Sequence, residues 1–342
     1  AAAPCGKPNS ESWKPARSDH SEMDTPTDQN KLLLDDERYR SCTLCPRECG
    51  VNRTDGRAGA CGETAECRVA SACPHFGEEP VISGRRGSGT VFFTGCACRC
   101  FFCQNHQISH GGLGESADIE RWANRLERLV ERGVHNLNFV TPDHFLPHVE
   151  RIAALLRQRG VAVPFVYNGS GYVHPETVPQ IVELFDVFLP DFKFFDPDLA
   201  EECIGDRRYP ELALEGLRQM VYAAGFLTPW RTDGAETARC GVLVRHLVLP
   251  DAVENSVELL HCLYREFGPG LPLSVMSQFR PMPECVLRDR LARPLHRDEY
   301  ETVCYTLEAL GFEHVFLQDL NDDEGFVPDF RPAVIETDLF TP

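Results

Sequence analysis

No part of the chain is a long apolar run. A membrane-spanning helix needs about 20 consecutive apolar residues, and none of that length occurs, so no membrane partner is expected. The first 24 residues, AAAPCGKPNSESWKPARSDHSEMD, carry no apolar core of the kind an export signal uses, and a cytoplasmic location is expected. Positive charge is also scarce. Lys and Arg number 34 against 52 Asp and Glu, for a net charge of −18. Nucleic-acid binding depends on clustered Lys and Arg facing phosphates. This balance argues against a nucleic-acid partner and says nothing about small substrates. Short repeats and low-complexity tracts are absent, and 42% hydrophobic residues over 342 positions are enough for a sizeable globular core.

Cysteine is what the chain has in excess. Sixteen cysteines would suggest disulfides in a small secreted protein. Here the chain is long and its cysteines cluster at metal spacing, so metal in a reducing compartment is the better reading. The densest stretch is GSGTVFFTGCACRCFFCQNHQIS, residues 87–109, where a short apolar run enters a cysteine loop. Cys96, Cys100 and Cys103 read C-x3-C-x2-C, with Cys98 in the first gap. Soft thiolates select iron–sulfur or zinc over hard cations. A four-iron cluster on three cysteines keeps one iron free for a small molecule. A structural zinc site and a ferredoxin-like cluster are the alternatives. Cys98 reads as a bystander thiol.

A second set lies upstream. Cys42, Cys45, Cys49 and Cys61 make C-x2-C-x3-C-x11-C, punctuated by Gly50, Gly56, Gly59 and Gly62. Four soft ligands in a Gly-rich loop point to zinc or a second iron–sulfur cluster, and so small a segment would draw much of its folding energy from the metal. Cys67 and Cys73 are spare ligands or buried thiols. The chain therefore divides into an extended or mobile arm (1–40), a Cys-rich segment (41–86), a main domain (87–320) and a tail (321–342). Glu78, Glu79 and Arg85, in the polar connector before the main domain, read as salt-bridged surface.

From residue 88 the pattern alternates. Strands are expected at 90–94, 135–140, 163–167, 187–192, 241–249 and 273–278. Helices are expected at 116–132, 144–159, 175–184, 209–224, 254–267 and 297–310, and a last apolar run at 314–317 suits a seventh strand. Repeated βα units demand parallel strands with helical crossovers. An open doubly wound sheet and a barrel both satisfy this, and both place ligands at the C-terminal strand ends. The polar residues there are Asn138 and Thr141, Asn168 and Ser170, Asp191 and Lys193, Arg245, and Ser277 with Gln278. Asp191 and Lys193 share one face of a strand, where a charged pair is costly unless it is used or paired. His246, on the opposite face from Arg245, reads as a satisfied core histidine.

With Phe102 in the aromatic place, the Cys96–Cys103 loop resembles the C-x3-C-x-aromatic-C signature of the radical S-adenosylmethionine (SAM) superfamily. Residues 41–320 are similar to the homologues of pyruvate formate-lyase activating enzyme within it, through CPRECGVNR, EEPVISG, GSGTVFFTGC, CQNHQIS, YNGSGY, DFKF, VRHLVLP and SQF. The resemblance implies a partial (β/α)6 TIM-like barrel of the radical SAM type with a Cys-rich N-terminal segment. It implies a [4Fe–4S] cluster on Cys96, Cys100 and Cys103 whose free iron holds SAM, and reductive cleavage to a 5′-deoxyadenosyl radical that abstracts hydrogen. No catalytic base is needed for that step.

Phe102, Asn138, Thr141, Asn168, Ser170, Asp191, Lys193, Arg245 and Ser277 are the candidate SAM contacts, with Arg245 expected on the SAM carboxylate or ribose. The Gly-Gly-Glu that many activating enzymes carry after the second strand is missing, and Asn138 and Thr141 are its candidate replacements. An oxygen-sensitive cluster implies an anaerobic host and an electron donor such as flavodoxin or ferredoxin, with Arg85, Arg86 and Arg99 as a candidate docking patch. The substrate is then a glycine of a partner protein, or a small molecule or peptide worked on beside an auxiliary metal. A non-catalytic iron–sulfur or zinc carrier is the remaining alternative.

Overall fold

The computed structural model describes residues 32–320 and 328–331. The expectations for 1–31 and for most of the tail lie outside the described residues. Among the described residues there are ten strands: β1 Arg68–His75, β2 Ser88–Phe93, β3 Glu115–Ser116, β4 Leu137–Val140, β5 Phe165–Gly169, β6 Val187–Pro190, β7 Gly241–Val242, β8 Val244–Leu247, β9 Leu273–Met276 and β10 Val315–Leu317. They form a seven-stranded sheet ordered β3-β1-β2-β4-β5-β6-β7 and a three-stranded sheet ordered β10-β9-β8. From β2 to β7, and from β8 to β10, every pairing is parallel. All six residues of β2 are buried, as an apolar run covered on both faces requires.

The crossovers are helices α1 Ile119–Glu131, α2 Leu146–Gln158, α3 Val178–Leu184, α4 Pro197–Ile204, α5 Tyr209–Ala224, α6 Val253–Phe267 and α7 Arg297–Leu310. Each long helix turns one apolar stripe to the sheet. In α1 the buried residues are Trp122, Ala123, Leu126 and Leu129, at helical spacing.

The strand expected at 241–249 is two strands. They part at Leu243, whose N–H donates to Phe188 O (2.9 Å). β7 pairs with β6 and β8 with β9, while an isolated bridge from Asp191 to Arg245 keeps β6 against β8. The parallel strands thus curve through this corner as a partial barrel. Among the described residues no pairing joins β10 back to β1–β3, so the barrel stays open on that side.

Other boundaries moved for local reasons. The first helix starts at Ile119 because Asp118 is its N-cap, accepting from Arg121 N, while Ser116 belongs to β3 and pairs with Arg68. β1, in the Cys-rich segment where no strand was expected, pairs antiparallel with β2; RVASACPH has little alternation, so its partner and not its pattern makes it a strand. α4 was not anticipated, although Asp196 caps it and Pro197 opens it.

Residues 32–40, the end of the expected extended or mobile arm, pack on the body. Leu33 bridges to Glu66, Tyr39 is fully buried, and Arg38 pairs with Asp36 and Glu150. In the tail, Phe330 is fully buried with its ring 5.4 Å from that of Phe92, and its N–H donates to Gln107 Oε1 (2.8 Å). Among the described residues no helix is long and apolar enough to cross a membrane.

Candidate active site at the C-terminal strand ends

β2 runs into the first cysteine loop through Gly95. Its φ is 72°, and a Cβ there would lie 2.4 Å from Glu63 Cγ and 2.9 Å from Cys61 O, so the turn needs glycine. Beyond it, Cys96, Cys98, Cys100 and Cys103 all border one cavity of about 460 Å³. Ser109 Oγ donates to Cys103 Sγ (3.2 Å), and the Cys98 and Cys100 sulfurs are 3.5 Å apart. Burial pushes the Cys96 thiol up to about 12. Cys100 moves the other way: the hydrogen bond with Cys98 lowers it against the cost of burial, and the Lys193 charge helps. Three soft thiols facing one cavity fit an iron–sulfur cluster that keeps a free corner on the cavity side.

The strand ends supply the rest of the wall. Thr141, just past β4, has φ 56° and donates its N–H to Asn168 O (2.8 Å), which turns the chain across the cavity. Asn168, Ser170, Asp191, Lys193, Arg245 and Phe102 line it as well. Phe102 is wedged edge-on against Phe101 and Phe194 and tilted on Phe279. Lys193 Nζ pairs with Asp191. Burial works against the Lys193 charge, but Asp191 and the nearby Cys100 and Cys98 sulfurs outweigh it and raise its pKa.

Two predicted residues are not brought to the cavity wall. Asn138 is fully buried and donates to Glu78 Oε1 (2.9 Å). Ser277 is buried, with its hydroxyl on the carbonyls of Gln318 (3.3 Å) and Asp319 (3.0 Å). Its neighbour Gln278 does line the cavity and accepts Gln104 Nε2 on its carbonyl (2.7 Å).

Arg245 differs from expectation in its role. Its guanidinium donates to Glu79 through Nε (3.0 Å) and to Glu78 through Nη2 (2.5 Å), and all three side chains are nearly inaccessible. Burial alone would raise Glu79, but the Arg245 charge and hydrogen bonds hold it below the ordinary glutamate value. Glu78 and Glu79 are therefore cavity-floor residues and not surface, and Arg245 is already neutralised. A connector of polar residues gave no hint of this; the one clue was a buried strand arginine that needs an anion. His246 is the satisfied core histidine expected, with Nδ1 on Phe192 O (2.7 Å) and Nε2 on Ser256 Oγ (2.8 Å), and burial lowers it to about 4.

The second cysteine set abuts the first. Cys42, Cys45 and Cys61 are buried and Cys49 is partly exposed. Cys61 O accepts the N–H of Cys96 (3.1 Å). Cys67 is buried beneath Trp122, whose Nε1 donates to its carbonyl (3.3 Å), and Cys73 is disulfide-bonded and supplies no thiolate. The basic patch does not form. Arg86 sits beside His135, before the start of β4, whereas Arg99 borders the cavity beyond the end of β2.

Residues 90–223 match the family model described as Radical SAM superfamily. An uncharacterized protein of Methanocaldococcus jannaschii is 24% identical over 284 residues, 81% of this chain and 77% of its own length. The pyruvate formate-lyase-activating enzyme of Clostridium pasteurianum is 26% identical over 159 residues, 44% of this chain and 65% of its own. Among solved structures, Streptococcus suis SuiB bound to S-adenosylmethionine aligns at a TM-score of 0.41 with 10% identity, covering 70% of this chain and 49% of that one. SuiB bound to its precursor peptide SuiA aligns at 0.40 with 11% identity, covering 66% and 46%. The chain thus spans about half the length of these solved structures.

Proposed function

We propose, from the match of residues 90–223 to the Radical SAM superfamily model, that the protein is an enzyme that cleaves SAM reductively and abstracts hydrogen from a substrate in the cavity. The observation that carries this is the convergence of Cys96, Cys100 and Cys103 on one cavity that also holds the Asp191–Lys193 pair. When bound, a [4Fe–4S] cluster supplies the electron that splits the sulfonium into methionine and the 5′-deoxyadenosyl radical. The chain's own residues hold and shield. Arg245 is committed to Glu78 and Glu79, so the SAM carboxylate falls to Thr141, Ser170 and Lys193. Asn168 offers an amide to the ribose. Phe102, Leu247 and Met276 make the wall apolar and keep water from the reacting carbon. Electrons come from a low-potential one-electron donor of the flavodoxin or ferredoxin class.

The finer reading is activation of a glycyl-radical enzyme, supported by the partial likeness to an activating enzyme. The cavity floor favours a second. A backbone glycine has no use for the buried Glu78–Arg245–Glu79 group, whereas a small molecule bearing an amine would find a net negative floor there. Anaerobic reconstitution with iron and sulfide, then dithionite and SAM, should yield 5′-deoxyadenosine by mass spectrometry. A glycyl-radical EPR doublet on an added partner supports activation. If SAM leaves the EPR signal of the reduced cluster unchanged, the protein is a carrier and both readings fall.

A further inference from the structure

We infer that Cys42, Cys45, Cys49 and Cys61 hold a second iron–sulfur cluster that relays electrons to the one at Cys96, Cys100 and Cys103. The relay rests on the function proposed above; the second cluster does not.

The first argument is charge. Arg53 is fully buried. Its guanidinium donates to the carbonyls of Thr64 (2.7 Å) and His144 (2.6 Å), and Nη1 points at Cys42 Sγ (3.7 Å). It lies over the rings of Tyr39 (4.5 Å) and Phe145 (5.5 Å). Among the described residues no carboxylate forms an ion pair with it. Glu63, the buried carboxylate whose charge reaches it, is ion-paired with Arg68 (3.6 Å) instead. A buried arginine without a contacting anion is expensive. Four thiolates around an iron–sulfur core carry net negative charge and would supply it at the place Arg53 points to.

The second argument is shape. A Cβ on Gly59 would stand 3.3 Å from Cys49 Sγ and 3.7 Å from Cys61 Sγ, so the loop is bare where the sulfurs gather. Four cysteines suit zinc as well as an iron–sulfur core, and the choice of the core rests on place.

The third argument is place. The carbonyl of Cys61 is hydrogen-bonded to the amide of Cys96 (3.1 Å), so one backbone contact separates the two cysteine sets. Arg47, inside the first set, donates to Ala97 O (3.0 Å) and Cys98 O (3.4 Å) in the second. Cys49 is partly exposed and residues 55–58 are open to solvent, so a donor protein can reach this centre without entering the cavity. One electron from an external low-potential donor reduces the second cluster. That cluster is reoxidised as it passes the electron to the first, and no bond to protein changes.

The test begins with Cys96→Ala/Cys100→Ala/Cys103→Ala, reconstituted anaerobically. It should keep about four iron and four sulfide per chain, against about eight in the wild type, and its reduced EPR signal should ignore SAM. Zinc in place of iron, or no metal, overturns the second cluster. In fully reduced wild type the two signals should broaden each other, and the broadening should vanish in the triple variant. Cys42→Ser/Cys61→Ser should slow reduction of the SAM-responsive cluster by a flavodoxin more than tenfold. Unchanged kinetics overturn the relay. Should that double variant misfold, the milder Cys49→Ser should alter only the SAM-indifferent signal. Failure of the proposed function would look different: SAM would perturb neither signal in the wild type, whatever the triple variant retains.

Discussion

Replacing Arg245 with methionine would remove the only cation from a buried group of three charges. Glu78 and Glu79 would then face the cavity floor together, each less than a tenth exposed at the side chain. Breaking a buried pair by deleting one partner costs about 3–5 kcal/mol, because the remaining charge is uncompensated. With a urea slope of about 3 kcal/mol/M, the denaturation midpoint of the metal-free protein should fall by about 1–2 M.

The pH dependence gives the sharper check. In the wild type Glu79 is held below its ordinary value, so its contribution to stability is present above an unfolded pKa of about 4.3 and is lost as pH falls through the folded value. Without Arg245 only burial remains, which raises the folded pKa above the unfolded one. The variant then gains from protonation and loses stability as pH rises. The gap between the two proteins should therefore be widest near pH 7 and close toward pH 4. Glu78→Gln/Glu79→Gln/Arg245→Met, with no charge left, should recover most of the loss. A loss under about 1 kcal/mol, or a gap equal at pH 7 and pH 4.5, would refute the account of a desolvated triad.

Other outcomes follow from the site. Cys96→Ala, Cys100→Ala or Cys103→Ala should each abolish SAM-dependent 5′-deoxyadenosine, while Cys98→Ala, whose sulfur only neighbours Cys100, should keep it within tenfold by the same mass-spectrometric assay. Lys193→Met should weaken SAM binding at least tenfold (about 1.4 kcal/mol) in equilibrium dialysis, since it removes a cation from the cavity wall and leaves Asp191 unpaired. Thr141→Gly should raise thermal stability by about 1 kcal/mol, because φ at this position is left-handed, while SAM affinity falls with the lost hydroxyl. An unchanged melting temperature would show that the turn carries no strain.

The cysteine loop, the alternation of strands and helices, and Asp191 with Lys193 were legible in the sequence because each is a local pattern. Thiolate spacing, apolar period and same-face alternation are properties of neighbours along the chain. They were sufficient for the parallel βα architecture, for α5 and α7 to the residue, and for seven of the nine candidate SAM contacts to fall on the cavity wall. What tertiary structure decided is which distant residues meet. Glu78 and Glu79 look like solvent-facing acids until β8 brings Arg245 over them, 166 positions away for Glu79. β1 is a strand because β2 offers its edge, and Ser277 leaves the cavity because Gln318 and Asp319 take its hydroxyl. The contact between the two cysteine sets depends on Gly95 admitting the Cys61 carbonyl. Local pattern sets which residues can do chemistry. Burial and charge pairing across the fold set which of them remain free to do it.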